Sequence, residues 1–598
     1  MKRFLLIVIA AVLMLSWLPS CPVRAEERPV LTIGDMDERS SPRVDGEEQV
    51  GLWRYLEDQL GMEIRFVHLT PEAYAAGLSS GDLPDIVATN NNLATILDNG
   101  VAFNAAPYME EYVPNFMRGE ETRIAYDVFT SLLDEEDGFY FFPQKIGYNG
   151  VGYSNGPANR GFVVRWDYYR ELGYPPIHNE DDYLNVLLQM YANHPRTEDG
   201  YPTYLFATNN FVGYATAFRA SVSLDYWAAY KYQNNIFTNE VFDGYTDPAN
   251  SMWWSSMAWF NKLYRAGKEN GSFDMDFFTQ SDEQYQSKCA RGQYLGLQNS
   301  SSAFYNAMVK KDPDTLCGYG MVPSEGTNLY TNVYQLLGNG SAYMWFISDS
   351  SQHKKEALRL FNYMCDPDFL RNAAMGQRGV TWDYDAEGIP QMTEYGQEQM
   401  TAYKTGKASD DNYYSQWGTY YDLTGAWPLL RDNVIHPDGY PIDFVNISRE
   451  YVKANMTNNI SEDICSHYGV ELPTDAFYQA GGLDFRNDCG EAISSCMSSL
   501  SRDQLRVISE AEAILDSVWV ELALAATDEE WNAIRDDTIR QLIELGEPEV
   551  FEAYQRQWNA AAAIIVPLVQ QAQSSNGVTP YTPEEYANHG NKTEVPSP

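Results

Sequence analysis

Gly81-Asp82-Leu83-Pro84-Asp85-Ile86-Val87-Ala88 is the stretch whose reading decides the fold. Its first half is a turn, because glycine tolerates positive φ and proline fixes φ and removes a backbone donor. Its second half, Ile86-Val87-Ala88, is a short apolar run of the kind a buried strand carries. Working backwards, Ala73 to Leu78 reads as a short helix and Glu63-Ile64-Arg65-Phe66-Val67-His68-Leu69 as a strand. Before them come an amphipathic helix near Glu48 to Leu60 and a first strand, Val30-Leu31-Thr32-Ile33, closing on Gly34-Asp35. Strand, helix, strand, helix, strand implies a parallel sheet with helices on its faces, an α/β fold. Ligands of such sheets sit beyond the carboxyl ends of the strands. The loops Asp35 to Arg39 and Thr89 to Asn92 therefore border the expected site.

A chain of 598 residues is too long for one core, since single cores stop growing near ~250–300 residues. Two or more packed units are expected, built in part from interleaved segments. Outward from the first sheet, Tyr183, Val186, Leu187 and Met190 fall at helical spacing, as do Ala357, Leu360, Phe361 and Met364. Trp531, Ile534, Thr538, Leu542 and Ile543 mark a further helix stopped at Gly546. Trp253, Trp254 and Trp259 share a helix-like spacing and read better as core than as binding platforms. Gly147 to Gly156 is glycine-rich but lacks GxGxxG spacing, and reads as a loop. Gln573 to Pro598 is polar and proline-containing, a loose tail.

Composition excludes several function classes. With 44% hydrophobic and 14% aromatic residues the chain can bury large cores, so it is not a disordered protein. Asp plus Glu is 83 against 41 Lys plus Arg, a net charge of −42. Such a surface repels phosphate backbones and anionic membranes, which argues against a nucleic-acid partner. Residues 1–25 read as a signal peptide: Lys2 and Arg3 precede an apolar run from Phe4 to Leu18 that is too short to span a bilayer. Two processing readings stand side by side. Val23-Arg24-Ala25 suits cleavage before Glu26, whereas Leu18-Pro19-Ser20-Cys21 resembles a lipobox in which Cys21 would become a lipid anchor. Six further cysteines permit disulfides without choosing a pairing, with Cys489 and Cys496 close enough to pair across a turn. No thiolate or imidazole cluster has zinc spacing, so neither a metal nor a cofactor is expected.

Searches for P-loop, HExxH and Cys/His signatures are negative. The ordered landmarks point elsewhere. The Gly81 to Val87 turn is followed by Val101-Ala102-Phe103-Asn104 to Pro114-Asn115 and by Phe162-Val163-Val164-Arg165-Trp166-Asp167-Tyr168 with Leu172-Gly173-Tyr174. Then come Phe260 to Gly267 with Phe273 to Ser281, Gly292-Gln293-Tyr294, Gly379-Val380-Thr381-Trp382-Asp383-Tyr384-Asp385, and Glu529-Glu530-Trp531 to Gly546. From Val30 to Ala560 this series resembles the extracellular solute-binding proteins of bacterial carbohydrate ABC transporters, in their long oligosaccharide-binding lipoprotein branch.

The resemblance implies a two-lobed periplasmic-binding-protein-like fold (type II), its lobes joined by crossover hinge strands. It places 27–160 and 321–376 in an N-terminal lobe and 165–320 and 377–572 in a C-terminal lobe. Hinges fall near Phe162 to Arg165, Gly318 to Val322 and Gly376 to Val380. It implies a non-enzymatic, exported monomer that captures a small oligosaccharide and delivers it to ABC transporter permease subunits. Some relatives bind calcium after the helix that follows the Arg165 to Tyr168 segment, but Asn193 to Gly200 lacks the alternating carboxylates this needs.

A sugar needs aromatic platforms for its C–H face and amide, carboxylate or guanidinium groups for its hydroxyls. Tyr226, Trp227, Trp382 and Trp427 are the platform candidates carried forward, with Trp417 also considered; Trp382 is favoured because it follows a hinge. Asp35, Asp37, Asn90 and Asn91, together with Asn92, are the polar candidates, although Asp and Asn also favour loops for local backbone bonds. The rival readings are a secreted carbohydrate-active enzyme, which would need two flanking carboxylates, and a binder of another solute such as a peptide.

Overall fold

The computed structural model describes residues 28–35, 51–89, 93–132, 138–144, 146, 161–207, 232–233, 236–237, 241–297, 316–325, 329–332, 344–404, 408–409, 411–417, 435–445, 448–454, 456, 459–481, 483–486, 489–495, 497 and 500–575. The strands that build its two larger sheets are, in chain order, β1 (Val30–Asp35), β2 (Glu63–His68), β3 (Ile86–Thr89), β4 (Phe142–Pro143), β5 (Val163–Arg165), β6 (Tyr204–Ala207), β7 (Tyr294–Leu297), β8 (Tyr319–Met321) and β9 (Met344–Ile347). The first sheet has the order β2-β1-β3-β9-β4. Within it β1 runs parallel to β2 and β3, as the alternating sequence pattern requires. Only β9, arriving from far along the chain, is antiparallel to its neighbours β3 and β4. The second sheet has the order β8-β5-β7-β6.

The turn that opened the sequence reading is a set of fitted parts. The helix Pro71–Ser80 is capped at its start by the Thr70 hydroxyl and ends on Gly81 at φ +77°, whose N–H bonds the Gly77 carbonyl. A side chain at Gly34 would lie 2.9 Å from Pro84 Cγ and 2.6 Å from Leu69 Cδ1, so the first strand must carry glycine where the turn crosses it. The Asp85 carboxylate then accepts from the Thr32 amide (2.8 Å), the Thr32 hydroxyl (2.7 Å) and the Ser351 hydroxyl (2.6 Å). One charged group thus ties β1 to β3 and to the segment after β9. Bonds of this charge-assisted kind stabilise by about 1.5–3 kcal/mol each.

Two cores result. The first packs Leu31, Ile33, Phe66, Ile86 and Val87 against Phe346, Leu360 and Phe361. The second gathers Val163, Val164, Tyr183, Leu187, Trp254, Trp259, Leu295 and Leu297. The helix Glu180–Asn193 buries Tyr183, Val186, Leu187 and Met190, the stripe its spacing foretold. Trp253, Trp254 and Trp259 are all buried in the second core. The helix Asp528–Leu545 buries Thr538 and Leu542 and stops at Gly546 (φ +89°), but Ile543 points outward. The terminal helix Glu547–Ser575 has 29 residues, about 44 Å at 1.5 Å per residue. Its Val550 sits in the second core and its Trp558, Ile565 and Val569 in the first, so it spans both. The segment containing Cys489, Ala492 and Ile493 also joins the first core.

Candidate functional site

Two chain crossings link the carboxyl edges of the two sheets. In the first sheet, β3 ends at Thr89 and β4 at Pro143, and both residues pair with Met344. In the second, Ala207 at the end of β6 pairs with Leu297 at the end of β7. Leu297 in turn pairs with Val163, and Val163 with Met321. The outbound crossing leaves the carboxyl end of β4 and enters β5 beside Leu297. The return crossing leaves β8 at Met321 and enters β9 at Met344. The crossing strands are zipped together, with Arg165, Val164 and Val163 opposite Tyr319, Gly320 and Met321. Backbone bonds from Trp166 to Gly318 (2.7 Å) and from Val322 to Phe162 (2.9 Å) extend the zip at both ends.

Asp35 is the last residue of β1 and so stands on this edge. Asp37, Asn90, Asn91, Asn92, Tyr226, Trp227 and Trp427 lie outside the described residues, as do Cys21 and the Gly147 to Gly156 loop.

An aromatic group packs on the helix Gly51–Leu60. The helix Gly51–Leu60, next along the chain from β1, begins with Gly51 at φ +57° against the Gln416 and Trp417 carbonyls, where any Cβ would approach to 2.3 Å. Trp417 stacks on Tyr413 (centroids 5.6 Å, planes 21°) and tilts against Tyr55 (5.6 Å, 51°). The Tyr413 hydroxyl accepts from the Gln377 amide (2.9 Å), inside the third expected hinge. Trp417 is buried and its indole N–H has no hydrogen-bond partner.

Trp382 departs from expectation. It is 1% exposed, and its indole N–H donates to the Gly376 carbonyl (2.8 Å). The Arg371 guanidinium lies 5.5 Å and Phe444 6.0 Å from its ring, so no face is open for stacking. Its bond is a local one, to the segment Gly376 to Val380 expected as a hinge. There Gly376 takes φ +84°, and a Cβ would meet the Thr381 hydroxyl at 2.3 Å.

The organiser of this region escaped the sequence reading. Arg371 is fully buried and its guanidinium forms an ion pair with Asp438, with further bonds to the Tyr384 hydroxyl (3.1 Å) and the Tyr440 (3.0 Å) and Pro441 (3.1 Å) carbonyls. Burial works against ionisation of Asp438, but hydrogen bonds from His436, Arg371 and Tyr384 outweigh it and hold the carboxyl well below the usual carboxylate range. Burial, with the hydrogen bond to Asp438, pushes the Tyr384 phenol up to about 12. The only sequence hint was an arginine among the buried Phe369, Leu370 and Ala373 of the helix Pro367–Met375.

Within Asn193 to Gly200, Arg196 bonds the Gly200 carbonyl (2.7 Å) and His194 pairs with Glu171 (2.6 Å) while stacking on Tyr168 (3.7 Å). Among the described residues no group of three or more His, Cys, Asp or Glu is gathered as a metal site. Cys289, Cys365 and Cys465 are free thiols, and Cys496, the partner that the spacing allowed for Cys489, lies outside the described residues.

The architecture defines a class: two α/β lobes joined by paired crossing strands, the fold of solute-binding proteins. Solved structures with this fold include an extracellular solute-binding protein from Bifidobacterium longum subsp. infantis, at TM-score 0.55 and 14% identity over 90% of this chain and 99% of that one. An HMO-binding, ABC-transporter-associated solute-binding protein from Bifidobacterium longum infantis aligns at TM-score 0.53 and 13% identity, over 89% and 99% of the two chains. The alginate-binding protein AlgQ2 aligns at 0.51 and 14%, over 89% and 98%. No protein-family profile and no curated protein matches the chain. Among the described residues no helix is long and apolar enough to cross a membrane.

Proposed function

We propose that this protein is an exported substrate-binding protein that captures an oligosaccharide between its lobes and presents it to the permease subunits of an ABC transporter. The observation that carries the reading is the pair of crossings that run from one carboxyl edge to the other, which is where a ligand of each sheet would sit. The named ligands of two structural neighbours, HMO and alginate, support a carbohydrate. In this proposal lobe one holds 27–160 and 321–376 and lobe two 165–320 and 377–572, with a tail over 573–598 that begins inside the terminal helix. Asp35, Asp37, Asn90 and Asn91 bond sugar hydroxyls from the first lobe, and Tyr226, Trp227 and Trp427 supply stacking faces. Residues 1–25 direct export, and Cys21 anchors the chain if the lipobox is used. The protein acts as a monomer, without nucleic acid and without chemistry on its ligand.

The test is a thermal-shift screen of the chain from Glu26 against neutral and acidic oligosaccharides. A ligand at a hundredfold excess over Kd stabilises by about 2.7 kcal/mol and raises the melt by degrees. A shift without product, accompanied by a smaller radius of gyration, supports capture by closure. A shift with product makes the protein an enzyme, and no shift across the panel moves the ligand to another solute class.

A further inference from the structure

Gln144 directly follows β4, one residue beyond Pro143, which shares the partner Met344 with Thr89 at the end of β3. It therefore stands on the carboxyl edge of the first sheet, where the outbound crossing begins. Its neighbours Phe142 and Ile146 are fully buried in the first core, and Gln144 is 1% exposed. Neither its carboxamide oxygen nor its carboxamide nitrogen has a hydrogen-bond partner. That is unusual, since most buried polar side chains are paired and an unmade pair is destabilising. Other buried orphans, such as the Trp253 indole, lack a single bond inside a helix-lined core. Gln144 lacks bonds at both atoms, and does so at the ligand edge. A polar group kept unsatisfied at such a place is one whose partner arrives from outside.

We infer that Gln144 reads two adjacent hydroxyls of a neutral sugar, an inference that rests on the carbohydrate reading above. A carboxamide sets an acceptor beside a donor, and a vicinal diol offers the complement because each hydroxyl both gives and takes a hydrogen bond. A uronate carboxylate would use only the amide N–H and would set its charge against Oε1. A uronate keeps its ring hydroxyls, so the selection comes from its charge: a carboxylate buried beside a neutral carboxamide gains no counter-ion, and the site favours neutral over acidic sugars.

The experiment uses the chain from Glu26 as wild type, Gln144→Leu and Gln144→Met. Each is titrated by calorimetry with neutral trisaccharides and tetrasaccharides of glucose, galactose and mannose and with a uronic-acid trisaccharide, and each is melted without ligand. Wild type binds a neutral sugar and not the uronate. Both variants lose at least tenfold in affinity for it, while their ligand-free melting temperatures stay level or rise, because an unpartnered polar group has been replaced by an apolar one of similar size. Two results overturn the inference while leaving the carbohydrate reading intact. One is variant affinity within twofold of wild type. The other is a fall in the ligand-free melt of both variants, which makes Gln144 structural. Wild type that binds only the uronate overturns the claim of neutral selectivity. Wild type that binds no sugar in the panel overturns the carbohydrate reading itself.

Discussion

Removing the Asp438 carboxylate by Asp438→Ala leaves the buried Arg371 guanidinium without its counter-ion. Arg371 has no exposed surface and Asp438 is only 16% exposed at its side chain, so little water is at hand to compensate. The bonds to the Tyr384 hydroxyl and to two carbonyls remain, but none of them neutralises charge. Breaking a buried pair in this way costs about 3–5 kcal/mol, which for a lobe of ordinary domain size lowers Tm by on the order of 10 °C. The double variant Arg371→Met with Asp438→Leu removes the charge as well and should recover most of the loss, since replacing both partners with apolar groups is often neutral. The pH dependence has a definite sign. Asp438 is held below the ordinary aspartate value of about 3.9, so its contribution is full above about pH 4 and is lost as the pH falls below that. Differential scanning calorimetry of wild type, single and double variants between pH 3 and 7 reads all of this. The reasoning is refuted if Asp438→Ala melts within 2 °C of wild type at pH 7, or if the double variant is no better than the single.

Other outcomes follow from the same geometry. Asp85→Ala removes three hydrogen bonds that clamp β1 to β3 and to Ser351; it should lower the unfolding free energy by about 2–4 kcal/mol in urea, and a loss under 0.5 would deny the clamp. Gly320→Ala puts a methyl 2.3 Å from Trp166 Cε3, and Trp166 is fixed by its bond to Asp463 (2.8 Å). The variant should lose about 1–3 kcal/mol in the same urea titration, and an unchanged midpoint would show that the crossing yields. Burial pushes the Cys289 thiol up to about 12 and the Cys465 thiol up to about 11. At pH 8 neither should react with a disulfide reagent in the native protein within minutes, whereas both should react in guanidinium; peptide mapping of the labelled thiols decides.

What could be read directly from the sequence was whatever depends on near neighbours. The alternation from Val30 to Ala88 specified three parallel strands, because a βαβ unit needs only local periodicity and the right-handed crossover. The stripe Tyr183, Val186, Leu187, Met190 specified one helix face in the same way. The tryptophans of the helix Met252–Gly267 were assigned to core by spacing alone, and they are buried. Tertiary structure decided what depends on distant partners. β9 enters the first sheet antiparallel from more than 200 residues downstream of β4, a pairing that no local pattern encodes. Trp382 looked like a platform because it follows a hinge, but its surroundings are set by Arg371 and by Phe444, 62 positions further on, and these cover it. Arg371 and Asp438 carry no mutual signal because a buried ion pair needs only proximity, not spacing. Gln144 is an ordinary polar residue until the fold withholds both of its hydrogen-bond partners. Periodicity reports which face of an element is covered; only the folded chain determines what covers it and which polar atoms are left waiting for a ligand.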